Sequence, residues 1–147
     1  MKTLLAFMLL FFLLYTISDI FVQYHSFGIL PQKLQETLYG NEEEFIEAIS
    51  TEDFLEALHI NLFLTMMLLS TLAAIYVRVS SLKSRYMHYL LHTTLLGSVV
   101  SFLSLSIGFF VTKDILPLYS FSFSLWHSGA VLLAMESLIR IFYAKSL

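Results

Sequence analysis

Apolar residues run along this chain in four long stretches, near residues 4–30, 54–77, 86–111 and 116–142, with polar residues gathered between them. A helix needs about 20 apolar residues to cross the hydrocarbon core of a bilayer. In lipid, the backbone groups of a spanning segment must find their partners within the structure itself, which selects helices for such runs. The pattern therefore predicts an all-α fold: an integral membrane four-helix bundle, with residues 1–147 as a single domain. The polar interval 31–53 is the only sizeable segment outside the spans. There Pro31 suits a helix N1 position and Gly40-Asn41 interrupts the chain. Leu34, Leu38, Phe45, Ile46 and Ile49 are spaced for two short interfacial helices. Ser50 or Thr51 can cap the second span, with Glu52 and Asp53 in its first turn.

Composition agrees with membrane residence. Hydrophobic residues make up 58% of the chain, charged residues 13%, and the mean hydropathy is +0.79. A soluble domain carries about 25% charged residues. The absence of cysteine excludes disulfides, thiolate metal sites and cysteine nucleophiles. No Gly-rich phosphate loop, nucleophile elbow or His-Glu-x-x-His run is present. Met1-Lys2 and the apolar run after it look like the start of a signal peptide, but no small-x-small site follows, so the first span is expected to stay in the protein.

Charge sets an expected orientation. Of the eight Lys and Arg, six (Lys2, Arg78, Lys83, Arg85, Arg140 and Lys145) fall on one side if the termini and the loop before the third span share it. By the positive-inside rule that side is cytoplasmic. Both termini are then inside, and 31–53 lies outside as an acidic segment holding Glu36, Glu42, Glu43, Glu44, Glu47, Glu52 and Asp53. Positive charge explained by topology leaves no basic patch for nucleic acid. The segment reads as a solvated connector, or as a surface that draws cations or a protein partner.

Polar residues inside the spans are the candidate chemistry, because lipid makes them costly. Counting about 1.5 Å of rise per residue sorts them into two layers. The outer layer has Asp19, Gln23, His59 and His127, drawn from three helices. Tyr15, Asp19 and Gln23 recur every four residues and share a face. His59 shares one with Phe63, Met66 and Ser70, and His127 precedes the small residues Ser128-Gly129-Ala130. Two imidazoles from different helices can hold a haem iron. Two histidines and Asp19 can ligate a metal. Asp19 and the histidines can also handle protons or a quinone head group. A hydrogen-bonded cluster that only fixes helix register uses the same residues. The inner layer has His88 and His92, one turn apart, with Glu136 as a third ligand or as the ion-pair partner of Arg140. No other histidine opposes His92 there, so a second haem needs another subunit. Gly97, Ser101, Ser104 and Gly108 form a small-residue packing stripe on the third span.

Leu58-His59-Ile60 opens a span that ends Tyr76-Val77-Arg78, and Leu90-Leu91-His92-Thr93-Thr94-Leu95-Leu96-Gly97-Ser98 follows in the next. Over about residues 58–108 this resembles SirB-like small inner-membrane proteins. The resemblance implies a bacterial inner membrane and singles out His59, Arg78 and His92, without implying a reaction. Two functional expectations result. One is a small inner-membrane protein binding a b-type haem through His59 and His127, with His92 as a further ligand, or a metal through His59, His127 and Asp19, for electron transfer. The other is a non-catalytic membrane subunit or assembly protein, meeting a membrane-protein partner or further copies of itself, whose buried polar residues only fix helix packing. Neither makes the chain an enzyme on its own.

Overall fold

A computed structural model describes residues 2–79 and 85–143. Lys83 and Lys145, which carry part of the expected inner charge, lie outside the described residues. Four helices are long and apolar enough to cross a membrane, and they match the four apolar stretches. They are α1 (Lys2–Ser26), α3 (Thr51–Val79), α4 (Arg85–Phe110) and α5 (Leu116–Tyr143), with a short helix, α2 (Pro31–Tyr39), between the first two. The protein is an all-α, small multi-span membrane protein in contact with lipid.

Local chemistry sets the boundaries. Gly28, at φ +81°, closes α1 by donating its N–H to the Gln23 carbonyl at 2.9 Å. A side chain there would be strained in the left-handed region. Pro31 opens α2, as its spacing predicts. Ser50 caps α3: the Asp53 N–H donates to Ser50 Oγ at 3.1 Å, and Ser50 Oγ donates back to Asp53 Oδ2 at 2.7 Å. The outer segment departs from expectation in one respect. A single helix forms there. Residues 41–46 turn back instead, with paired backbone bonds between Asn41 and Ile46 at 2.9 and 3.0 Å. Asn41 Oδ1 also accepts from the Glu43 N–H at 3.0 Å. Those side-chain and turn bonds take the donors that a second helix would need.

Packing of the spans follows size. Lipid is as apolar as leucine, so close approach and polar bonds hold membrane helices together, with little hydrophobic drive between them. α4 and α5 form a tight antiparallel hairpin in which glycine on one helix meets a side chain on the other. Gly129 faces Thr94, Gly108 faces Leu116, and a Cβ on Gly97 would lie 3.3 Å from Trp126 Cβ. The expected small-residue stripe of α4 is thus an interface: Ser98, Ser101 and Ser104 are buried. α5 packs against α1, α3 and α4, which makes it the central helix. Leu4, Phe7, Phe11, Leu14 and Phe21 on the opposite face of α1 are exposed, in keeping with a lipid-facing surface. α2 lies over one end of the bundle, burying Leu34 and Leu38. The Tyr39 hydroxyl donates to the Gly108 carbonyl and ties α2 to the end of α4.

Candidate functional site

The buried positions of α1 run Leu9, Phe12, Thr16, Asp19, Gln23, alternating three and four residues. That spacing follows one stripe of a helix and turns Asp19 and Gln23 into the bundle. On α5 the same logic buries Phe123, Trp126 and His127. Asp19 and His127 then meet from opposite ends of the sequence, with Nε2 2.9 Å from Oδ2. Asp19 is 9% exposed and His127 2%. The other ring nitrogen, Nδ1, donates to the Phe123 carbonyl at 2.9 Å. The imidazole also packs on its neighbours, with ring centroids 3.6 Å from Trp126 and 3.9 Å from Phe123.

Hydrogen-bond valence determines what this pair holds. A carbonyl only accepts, so Nδ1 carries a proton. The contact between Nε2 and Oδ2 then needs one more proton, on the ring or on the carboxyl. Either placement leaves the pair with no net charge. A neutral, mutually bonded pair avoids the desolvation cost that an isolated carboxylate meets in lipid.

Asp19 of the pair borders a partly enclosed cavity between all four spans. Gln23 of α1, Asn61 and Thr65 of α3, Ser101 of α4, and Tyr119 and Trp126 of α5 line it together with Asp19. It has about 20 Å³ of room for water centres. Phe27 and Phe54 line it as well, toward α2. Phe54 is fully buried and stacks on Phe109 with centroids 3.9 Å apart.

The other expected site residues are placed differently. His59 is exposed, on the same outward face as Phe63, Met66 and Ser70. The inward face of α3 runs Phe54, Leu58, Asn61, Thr65, Leu69, Leu72, and a residue one step past Leu58 is turned about 100° from it. The expected gathering of His59 with Asp19 and His127 is therefore corrected: the outer layer joins Asp19, Gln23 and His127, and His59 does not line the cavity. His92 is exposed and meets His88 edge to face, at 4.7 Å between centroids. Glu136 is bonded by Arg140, whose Nε donates to Oε1 at 2.7 Å; this is the ion pair that competes with a metal-ligand role. Arg78 is exposed in the last turn of α3. Among the described residues no cluster of three or more His, Asp or Glu converges to hold a metal ion.

Sequence reasoning passed over Asn61 and Tyr119, and took Ser101 for packing only. The signal was the three-and-four spacing that starts at Phe54, which carries Asn61 and Thr65 inward along with the apolar residues. No protein-family model, curated protein or solved structure matches the chain.

Proposed function

We propose that this chain is a non-catalytic subunit or assembly protein of a bacterial inner membrane, its spans locked in register by the Asp19–His127 pair. The observation behind this reading is that His127 commits both ring nitrogens within the bundle, to Asp19 and to the Phe123 carbonyl. A histidine so engaged orders helices. A partner surface is available in the outer segment, where Phe45 stands 95% exposed at φ +56° between Glu44 and Glu47. An exposed aromatic side chain with acids beside it in the sequence is suited to a basic, partly apolar partner.

The rival reading is a b-type haem or a metal held by His127, which would draw Nε2 away from Asp19. Visible spectra of the oxidised and dithionite-reduced protein, with metal analysis, separate the two. The subunit reading expects a colourless, metal-free protein. A Soret band that His127→Ala bleaches would overturn it. A positive result for the subunit reading is a co-purifying membrane partner that Phe45→Ser releases while the bundle stays folded.

In the same proposal both termini face the cytoplasm. The cysteine-free sequence makes this easy to check by single-cysteine labelling. Glu43→Cys is expected to react with an impermeant maleimide on intact spheroplasts, and Lys2→Cys only after lysis. The reverse pattern would invert the topology.

A further inference from the structure

We propose that the cavity between the four spans is a binding site for water, holding one or two molecules between Asp19 and the Trp126 indole. The buried hydroxyls point to it. Thr16, Thr94, Ser98, Ser104, Ser122 and Ser137 each donate to a carbonyl three or four residues earlier on their own helix. Thr65 and Ser101 are buried residues too, yet their hydroxyls make no hydrogen bond to any described residue and keep some open surface. Both line this cavity. Trp126 lines it too, and among the described residues its Nε1 is the one fully buried side-chain nitrogen or oxygen without a partner. Trp126 is only 4% exposed.

Size and valence select the ligand. One water needs about 10–15 Å³ of such space, and the cavity has about 20 Å³. An indole N–H donates and cannot accept. Water can accept from it and donate onward to a carboxylate or hydroxyl oxygen, whereas a cation cannot accept from the indole N–H. Asp19 is the cavity's one charged side chain, and its charge is already balanced within the pair with His127. The inference goes beyond the subunit reading, because polar groups serving helix packing alone would bond to one another. These line a shared void instead, together with Phe27 and Phe54.

Trp126 is the chain's single tryptophan, so its indole gives one resonance. The experiment is water-to-indole magnetisation transfer on the full chain, indole-¹⁵N labelled and held in nanodiscs. Clear transfer is expected in the parent. Thr65→Val with Ser101→Ala is expected to lose most of it while helicity and melting are kept. If that pair does not fold, either single substitution serves. No transfer in the parent, or undiminished transfer in the folded variants, would overturn the proposal. So would a saturable shift of the indole signal on sodium titration that abolishes the transfer, which would assign the site to a cation.

Discussion

His127→Ala is expected to destabilise the bundle by about 3 kcal/mol, the lower end of the range for removing one partner of a buried pair. The substitution leaves the buried Asp19 carboxyl without its 2.9 Å partner and removes the imidazole's second bond, to the Phe123 carbonyl. Asp19→Ala is expected to act similarly. Asp19→Asn differs in kind: its amide N–H can donate to an unprotonated Nε2 and keeps the site neutral, so the loss is expected to stay within about 1 kcal/mol. A double-mutant cycle of Asp19→Ala with His127→Ala is expected to return a coupling of about 1–2 kcal/mol, near the upper limit for hydrogen bonds between membrane helices. Reversible unfolding in mixed micelles, followed by circular dichroism, reads all of these. A His127→Ala protein as stable as the parent would mean the pair does not lock the bundle. An Asp19→Asn protein as weak as Asp19→Ala would mean that valence is not what the pair supplies.

Enlarging Gly129 is the second large effect. A Cβ placed there meets Thr94 Oγ1 directly, with Thr94 Cβ 3.2 Å away. Gly129→Ala therefore forces α4 and α5 apart at this contact, for an expected cost of about 1–3 kcal/mol, the range for overpacking a core. Gly129→Leu is expected to prevent the hairpin from closing. Thr94→Ala removes the nearest atom, and combined with Gly129→Ala it is expected to recover part of the loss, whereas additive losses would show that the two positions are not in contact. The same melting assay decides between these outcomes.

The four spans, Pro31 at the start of α2 and a cap at Ser50 or Thr51 at the start of α3 were all legible in the linear pattern. Each rests on rules that act within a turn or two of helix: apolar length, a fixed φ, a side-chain oxygen beside free N–H groups. The small residues of α4 and Gly129 could also be recognised as places of close approach. The 41–46 turn was misjudged because five apolar residues at suitable spacing say nothing of how Asn41 satisfies the backbone. At the site, Asp19, Gln23 and His127 stood out as ionisable or amide groups inside apolar runs. His59 stood out equally and is on the outward face.

Sequence by itself thus determined that the chain is a multi-span helical membrane protein and which residues are costly in lipid, since both depend on the local balance of apolar and polar groups. Only the tertiary structure decided which costly residues satisfy one another. Rotation about each helix axis, fixed by how the helices pack on one another, turns Asp19 toward His127 and His59 outward. The same rotation brings Gln23, Asn61, Thr65, Ser101 and Trp126 around one void. A step of about 100° per residue is readable along one helix, but the angle between two helices is a property of their contact.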